Sequence, residues 1–349
     1  MQQKNPDKPH ILVTGGTGYI GSHTIVELLN TNYRVTTIDN LSNSSKNILP
    51  YIEQITNKKV QFHELDLADR EASLQWFSSL KEIPDAIIHF AAFKAVGESV
   101  ENPLKYYRNN LFSLINLLES MQQTGCKNLV FSSSCTVYGQ PEILPVNENA
   151  PEKKPESPYG QTKAMSEQIL RDFAFQTENK IISLRYFNPI GAHESGLIGE
   201  NPSGKPNNLV PMITQAAIGK RKELEIFGDD YDTPDGSCIR DYIHVTDIAK
   251  AHVTAISRLI EKQTKKSPEV FNLGTGKGYS VLETINTFEK INKVKVPHRI
   301  SKRREGDVEK IYADTKLANQ ELGWHAEKTL EEMLSSAWKW EQTLKNRKP

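Results

Sequence analysis

Residues 10–21 read His-Ile-Leu-Val-Thr-Gly-Gly-Thr-Gly-Tyr-Ile-Gly, and this stretch decides the fold. The apolar run 11–13 predicts a buried parallel strand, and helix-forming residues follow over 19–29. The glycines between them permit a sharp turn, a close approach of the backbone to a pyrophosphate, and packing of helix against strand. The helix N-terminus offers free N–H groups and the positive end of its dipole to an anion. The spacing of Gly15, Gly18 and Gly21 therefore predicts a dinucleotide-binding turn.

The second predicted strand, Arg34–Asp39, ends in an acidic residue 24 positions after Gly15. An acid at about this distance accepts hydrogen bonds from the ribose hydroxyls of a dinucleotide and repels a 2′-phosphate. The next residues, Asn40-Leu41-Ser42, contain no arginine that would bind such a phosphate. A single glycine motif is weak, because many strand-turn-helix units carry glycines, but the two features together favour NAD over NADP.

The alternation of strands and helices continues as far as residue 185. Apolar runs predict strands at 60–64, 85–90, 128–132 and 181–185, and helical spacing predicts helices at 69–80, 103–123 and 159–175. This order is typical of an α/β fold with a Rossmann-type, doubly wound parallel sheet. Ligands bind such sheets outside the carboxyl ends of the strands. We therefore predict an NAD-binding Rossmann domain over residues 1–186.

The second half of the chain has a different pattern. Prolines and glycines accumulate over 187–205, which indicates a long irregular segment. Short elements follow, with strands at 224–227, 241–245 and 270–273 and helices between and after them. We predict a smaller α/β substrate lobe over 187–349, with part of 238–262 packing back on the first domain. The glycines of 274–278 resemble a phosphate loop but lack its first glycine and its Ser or Thr, so we interpret them as a plain turn.

Composition argues against several classes of protein. Lys plus Arg equal Asp plus Glu at 43 each, so no overall positive charge would attract nucleic acid or a membrane surface. Cys126, Cys135 and Cys238 are too widely spaced for a disulfide framework or a metal site. The stretch 1–9 is polar, and no apolar run approaches the length of a membrane span. We expect a cytoplasmic protein with no metal, which binds any anionic ligand through local groups.

Hydroxyl side chains follow the fifth predicted strand, where a parallel sheet places its ligand. Three serines end at Ser134, and Tyr159 and Lys163 lie one turn apart on the next predicted helix. A phenol has a pKa near ~10, but a nearby ammonium or an oxidised nicotinamide favours the phenolate by about 1.4 kcal/mol for each pKa unit. Tyr159 is therefore a candidate base that removes a hydroxyl proton as hydride leaves the same carbon, with Ser134 holding or relaying that proton.

Chance is the alternative explanation for this pair, because the chain has 12 tyrosines and Tyr312 with Lys316 repeats the spacing. That second pair lies far from the dinucleotide half and follows no serine-rich strand end. The position of Tyr159 and Lys163 therefore favours a catalytic role.

The chain resembles the extended short-chain dehydrogenase/reductase family over nearly its whole length. Besides Ser134, Tyr159 and Lys163, the resemblance is carried by 14–23 (TGGTGYIGSH), 90–99 (FAAFKAVGES), 185–189 (RYFNP), 206–209 (PNNL), 240–245 (RDYIHV), 303–307 (RREGD) and 323–324 (GW). Several of these motifs are typical of the branch that inverts the C4 configuration of UDP-hexoses. The resemblance also implies a homodimer formed through helices 103–123 and 159–175, although the apolar residues of both helices would serve equally well against the sheet.

The resemblance implies two sets of ligand contacts. Beyond the three glycines, NAD is expected to contact Tyr19, Ile20, Asp39, Asn40, Asn43, Ser44, Asp66, Leu67, Phe90, Ala91, Lys94, Asn109, Ser134, Tyr159, Lys163 and Phe187. The UDP-sugar is expected to contact Ser134, Tyr159, Asn188, Asn208, Leu209, Phe227, Arg240, Arg304, Asp307 and Ile311. Arg240 and Arg304 also suit a diphosphate on chemical grounds, because a guanidinium group forms bidentate hydrogen bonds with phosphate oxygens. Ordinary surface ion pairs are the alternative role for these two arginines.

The implied reaction interconverts UDP-glucose and UDP-galactose through a transient 4-keto sugar and enzyme-bound NADH. Tyr159 takes the proton of the sugar 4-hydroxyl, the keto sugar rotates about its diphosphate, and hydride and proton return to the other face. The sugar pocket should therefore be looser than the uridine pocket, and the cofactor should stay bound through turnover.

The sequence bears on three alternative functions. Dehydratases of the family typically carry an Asp-Glu pair where this chain has Cys135 and Thr136, which disfavours dehydration. The side-chain volume of Ile311 is intermediate. Family members that accept N-acetylated sugars carry a small residue at this position, and members restricted to glucose and galactose carry a bulky aromatic residue. A UDP-N-acetylglucosamine 4-epimerase or a dual-specificity enzyme therefore stays open. A non-enzymatic NAD sensor usually loses the tyrosine–lysine pair, which this chain keeps.

Overall fold

The computed structural model describes residues 8–151, 153–202, 204, 206, 208–304 and 307–347. Asn207, Glu305 and Gly306 of the motifs above, and the stretch 1–7, lie outside the described residues. The strands are β1 (His10–Thr14), β2 (Arg34–Asp39), β3 (Gln61–Glu64), β4 (Ala86–His89), β5 (Asn128–Ser134), β6 (Lys180–Tyr186), β7 (Asn188–Ile190), β8 (Leu224–Phe227), β9 (Ile239–Arg240), β10 (Tyr242–His244), β11 (Glu269–Leu273), β12 (Tyr279–Ser280), β13 (His298–Ser301) and β14 (Lys310–Ile311). The α-helices are α1 (Tyr19–Asn30), α2 (Leu49–Thr56), α3 (Arg70–Ser78), α4 (Val96–Glu101), α5 (Pro103–Thr124), α6 (Pro158–Gln176), α7 (Leu209–Ala217), α8 (Val245–Ile260), α9 (Val281–Asn292) and α10 (Leu330–Asn346).

Seven strands form one parallel sheet in the order β11-β6-β5-β4-β1-β2-β3. The predicted Rossmann-type fold is confirmed, since strands 1 to 6 lie in the order 3-2-1-4-5-6 of a dinucleotide-binding sheet. β1 lies between β2 and β4, and Ile11, Leu12 and Val13 are fully buried in it. A strand covered on both faces needs apolar residues at every position, which explains the unbroken apolar run of this stretch.

Helices cover both faces of this sheet. α1, α2 and α8 pack on the face that Ile11 and Val13 of β1 present, and α3, α5 and α6 pack on the face of Leu12. Glycine ends α5, because Gly125 adopts a φ of +81° just past its last residue. The two layers therefore bury the sheet and leave the carboxyl ends of its strands for a ligand.

Two elements from beyond residue 186 belong to these layers. α8 packs against α1, and β11 pairs with β6 as the seventh strand of the sheet. The division of the chain at residue 186 stays a prediction. Both elements nevertheless tie the second half of the chain to the seven-stranded sheet and its helices.

The remaining strands form three small sheets, β10-β7, β12-β9-β14 and β13-β8. α7, α9 and α10 pack together around Phe288 and Leu334. The buried carboxylate of Asp241 accepts hydrogen bonds from the backbone N–H groups of Thr275 (2.8 Å) and Gly276 (3.1 Å). The glycine-rich turn 274–278 thus binds an acidic side chain of the protein itself, which agrees with its interpretation as a turn rather than a phosphate loop.

Sequence patterns predict β10 within the run 241–245, but they do not predict α2, α4 or the short strands β7, β9, β12, β13 and β14. Elements this short do not span enough positions for a period to be recognised. Among the described residues, no helix combines the length and the apolar character needed to cross a bilayer.

Candidate active site

The turn between β1 and α1 is built from glycines that larger residues cannot replace. Gly15 has a φ of +70°, and a Cβ at this position would lie 2.7 Å from the backbone nitrogen of Ala91. A Cβ on Gly21 would lie 2.4 Å from the carbonyl oxygen of Gly15. Gly18 caps α1 without any side-chain hydrogen bond, so the first-turn N–H groups of Tyr19 and Ile20 have no partner within the helix. This arrangement fits the pyrophosphate of a dinucleotide.

Asp39 lies beside this turn at the end of β2. Its carboxylate accepts hydrogen bonds from the Thr17 N–H (3.2 Å), the Leu41 N–H (2.9 Å) and the Ser44 hydroxyl (3.0 Å). These donors hold a buried carboxylate in a fixed orientation, and a carboxylate has about four acceptor positions in all. Asp39 therefore keeps capacity for a ribose hydroxyl, whereas its charge would repel a phosphate.

The other residues predicted to contact NAD lie at the same edge of the sheet. They are Asn40, Asn43 and Ser44 after β2, Asp66 and Leu67 after β3, Phe90, Ala91 and Lys94 after β4, Asn109 on α5 and Phe187 after β6. Several of them are tied to the fold by hydrogen bonds: for example, Thr14 Oγ1 accepts from the Ala91 N–H (3.3 Å), and the carbonyl of Leu67 accepts from Asn116 (2.8 Å). All of these residues except Asn109 thus follow the carboxyl ends of four strands.

Ser134, Tyr159 and Lys163 lie where β5 ends and α6 begins, and all three are almost fully buried. Ser157 caps α6 by accepting the Gly160 N–H (3.1 Å), and Pro158 occupies its first position. These features start the helix at the residue before Tyr159. The Lys163 ammonium donates to the carbonyl of Ser132 (2.6 Å) and lies 5.9 Å from the centroid of the Tyr159 ring.

The pKa values of this group differ from the sequence-based expectation. Burial raises the pKa of Tyr159 to about 12, against the lowering effect of a hydrogen bond with Ser134. Burial also lowers the pKa of Lys163 to about 8, although the charge of Glu167 raises it. Ser134, rather than Lys163, therefore opposes the effect of burial on the phenol. Tyr159 needs a further positive charge nearby before it can act as a base at neutral pH.

A cleft of about 670 Å³ opens beside these residues, with Cys135 and Ser157 in its walls. Ser134 and Tyr159 themselves do not line it. Its walls include all the other residues predicted to contact the UDP-sugar: Asn188, Asn208, Leu209, Phe227, Arg240, Arg304, Asp307 and Ile311. Asn43 and Lys94 of the predicted cofactor set also line it. The cleft therefore connects the two predicted sets.

Two arginines in this cleft share one carboxylate. Arg304 donates to Asp307 from Nε (3.2 Å) and Nη2 (2.6 Å), and its guanidinium lies 5.3 Å from the centroid of the Phe227 ring. Arg240 Nη2 is 3.9 Å from the same carboxylate, and its side chain is only 16% exposed. A surface ion pair accounts for Arg304 but not for Arg240, whose side chain is largely shielded from solvent. Two positive charges and one negative charge leave a net positive charge, which suits a diphosphate.

Ile311 forms part of the cleft wall and is buried. It packs in one cluster with Cys135 and Phe187, and it pairs with Arg240 between strands β14 and β9. The volume of the side chain at this position therefore affects the width of the cleft between Cys135, which follows Ser134, and Arg240.

Glu200 is a cleft residue that the sequence patterns do not predict. Its Oε1 accepts hydrogen bonds from both Lys94 (2.8 Å) and Asn208 (2.6 Å). Glu200 lies in the irregular segment, where neither period nor motif distinguishes it from other acidic residues. The sequence indicates only that residues 187–205 form a proline- and glycine-rich irregular segment, and such long segments are often functional.

The chain is similar in sequence to known proteins over nearly its whole length. The family model described as GDP-mannose 4,6 dehydratase matches residues 12–337. A UDP-glucose 4-epimerase from Bacillus subtilis is 52% identical over 337 residues, which cover 96% of this chain and 98% of that protein. The chain belongs to the UDP-glucose 4-epimerase family.

Solved structures of the UDP-glucose 4-epimerase family have the same fold. The crystal structure of the Bifidobacterium longum UDP-glucose 4-epimerase, in complex with NAD+ and UDP, is similar with a TM-score of 0.92 and 47% identity, and covers 97% of this chain and 99% of that chain. The UDP-Glc/GlcNAc 4-epimerase from Campylobacter jejuni is similar with a TM-score of 0.82 and 40% identity, over 96% of this chain and 99% of that chain. The predicted membership of the extended short-chain dehydrogenase/reductases is confirmed.

Proposed function

We propose that this protein is a UDP-glucose 4-epimerase, an isomerase that uses NAD to interconvert UDP-glucose and UDP-galactose. The observation that carries the proposal is one cleft with Arg240 and Arg304 in its wall and the Tyr159 phenol beside it. A diphosphate-binding group and a proton-transfer group therefore serve the same ligand. Relatives that are about 50% identical to this chain are named UDP-glucose 4-epimerase.

NAD would be held by the turn at Gly15, Gly18 and Gly21 and by the Asp39 carboxylate. When bound, NAD supplies the chemistry of a hydride acceptor and donor. Its oxidised ring is also positively charged, which is the kind of charge that Tyr159 needs to lose its proton. Lys163 is held in the site by the hydrogen bond that its ammonium donates to the Ser132 carbonyl of β5.

Tyr159 acts as the base that takes the proton of the sugar 4-hydroxyl and later returns a proton to the same oxygen. Ser134 donates a hydrogen bond that stabilises the phenolate in between. Arg240 and Arg304 hold the diphosphate while the sugar ring, as a 4-ketone, turns its other face. Ile311 and Cys135 belong to one apolar cluster in the cleft wall, and side chains of this kind leave the ring free to rotate.

Dehydration is the second reaction to be tested, because the matching family model carries a dehydratase description. Cys135 and Thr136 offer neither the carboxylic acid nor the carboxylate that eliminates water from a sugar. We expect mass spectrometry of a reaction with UDP-glucose to give a product of unchanged mass that chromatographs as UDP-galactose. A product lighter by one water molecule would contradict the proposal.

The first-turn geometry of α1 predicts a cofactor-binding defect in Gly21→Ala. The added Cβ would meet the Gly15 carbonyl at 2.4 Å, and because this neighbour is backbone, the turn itself must shift. We expect the NAD retained through purification, measured after acid release, to fall at least about tenfold. Gly97→Ala is the matched control, because a Cβ there meets no atom within 4 Å. Equal retention by both variants would contradict the assignment of this turn to NAD.

Ile311 determines which UDP-sugars the cleft accepts. We expect clear activity on UDP-glucose and UDP-galactose and limited activity on the N-acetylated pair, because isoleucine has an intermediate volume. Ile311→Tyr should lower the kcat/KM for UDP-N-acetylglucosamine by about tenfold or more and change the value for UDP-glucose little. Equal kcat/KM values of the unaltered protein on both pairs would make it a dual-specificity enzyme instead.

A homodimer in the cytoplasm is also part of the proposal. α4, α5 and α6 expose apolar side chains, among them Val100 (61% exposed), Leu104 (80%) and Phe112 (49%). Such residues on neighbouring helices suit a second copy of the chain. Light scattering should give twice the mass of the 39.4 kDa chain, whereas the mass of one chain would contradict the dimer.

A further inference from the structure

Residues 191–202, named here the strap, run from the end of β7 past the cofactor side of the cleft. The Tyr19 hydroxyl, at the first position of α1, donates to the carbonyl of Gly191 (2.6 Å). Ile198 is fully buried in the same core cluster as β1 and α8. The strap is therefore attached both to the turn that would hold the pyrophosphate and to the main core.

Helix α10 fixes the strap from its other side. Trp340 Nε1 donates to the carbonyl of Glu200 (2.9 Å), and a Cβ on Gly199 would lie 2.5 Å from the Trp340 ring. The Lys339 ammonium donates to the carbonyl of Glu194 (2.5 Å). These contacts leave the backbone of Glu200 little freedom, so the direction of its side chain is set by the fold.

The Glu200 side chain joins the two predicted ligand sets. It is 10% exposed, and one oxygen accepts from Lys94 of the cofactor set and from Asn208 of the substrate set. The Lys94 ammonium also lies 5.6 Å from the centroid of the Tyr19 ring. Lys94 is therefore held in place by the strap, although half of its own side chain is exposed.

We propose that Glu200 is a positioning residue that, by orienting Lys94, keeps NAD bound from one turnover to the next. The inference rests on the proposed function for the identity of the cofactor. An unpaired lysine would lose its conformational freedom each time it closed on the cofactor, whereas a lysine already fixed by a carboxylate has lost it beforehand. The same oxygen holds Asn208, so the substrate side is positioned by the same residue.

The test compares Glu200→Ala, Glu200→Gln and Glu194→Ala, all purified without added NAD. The measured quantity is the rate of NAD release from the holoenzyme, followed by ultrafiltration and acid extraction without any sugar nucleotide. We expect Glu200→Ala to release NAD about tenfold faster than the unaltered protein, or more, because a hydrogen bond to a charged group is lost. Glu200→Gln should lie between the two, because its amide oxygen still accepts from Lys94. Glu194 is exposed on the same strap and serves as the matched control.

A double variant separates positioning from a general structural role. If Glu200 acts through Lys94, then Lys94→Met with Glu200→Ala should release NAD no faster than Lys94→Met alone. Additive effects, or release from both Glu200 variants at the rate of the unaltered protein, would overturn the proposal. NAD release is measured without turnover, so this test does not depend on epimerase activity. A protein that binds NAD but does not epimerise UDP-sugars would contradict the proposed function, and the role of Glu200 in NAD retention could still be tested.

Discussion

Tyr159→Phe is expected to lower the kcat for conversion of UDP-galactose by two to four orders of magnitude, in the range of about 10² to 10⁴ that general acid–base groups contribute. The ring and its packing are kept, and only the hydroxyl that exchanges a proton with the sugar is lost. Retained NAD should be unchanged within error, because the cofactor is held mainly by the glycine turn and Asp39. Steady-state kinetics and acid extraction of NAD measure the two quantities.

Tyr312→Phe is the matched control for this experiment, because Tyr312 and Lys316 have the same spacing in the chain but Tyr312 does not line the cleft. It should keep kcat within about twofold, since surface substitutions away from a site act weakly. A Tyr159→Phe protein with the kcat of the Tyr312→Phe protein would remove Tyr159 from the mechanism and favour an NAD-binding sensor.

Glu167→Ala is expected to cause the largest loss of stability, about 3–5 kcal/mol, because it breaks a buried ion pair and leaves a buried guanidinium without this carboxylate. Glu167 and Arg185 are each 2% exposed. The carboxylate accepts from Arg185 Nε (2.9 Å) and Nη2 (2.5 Å) and from the Ser133 hydroxyl (2.5 Å). The pair therefore fastens α6 to the ends of β5 and β6, one helical turn beyond Lys163.

Denaturant unfolding followed by fluorescence measures this loss. Glu53→Ala is the matched control, because its pair with Lys59 is long (3.9 Å) and exposed, and such pairs contribute about 0–1 kcal/mol. Unfolding midpoints that are equal for the two variants would show that the buried pair contributes no more than a surface pair.

The sequence predicts the centre of the fold well, because a parallel strand covered on both faces must be continuously apolar. β1, β2 and the turn at Gly15 depend on local residues alone, and their predicted bounds agree with the structure within about two residues. The position of the seventh strand, β11, cannot be predicted from local sequence. The run 270–273 predicts a strand, but its pairing with β6 depends on contacts between residues more than 80 positions apart in the chain, which no local pattern records.

The candidate site divides in the same way. Tyr159 and Lys163 are found from their spacing, since residues four apart lie on one helical face. The partner of Lys163 is not found, because the Ser132 carbonyl is a backbone atom that any residue would supply. Glu200 escapes prediction because its role depends on where Trp340 fixes the strap. The direction of the Tyr159 pKa shift also required the structure, since it depends on burial.

The most direct test of the central claim is to incubate the purified protein with UDP-galactose and no added NAD, and to measure UDP-glucose by chromatography. We expect conversion, because the glycine turn, Asp39 and Lys94 would hold the cofactor through purification and each turnover regenerates it. No UDP-glucose, with or without added NAD, would contradict the assignment and make N-acetylated or carboxylated UDP-sugars the next substrates to test.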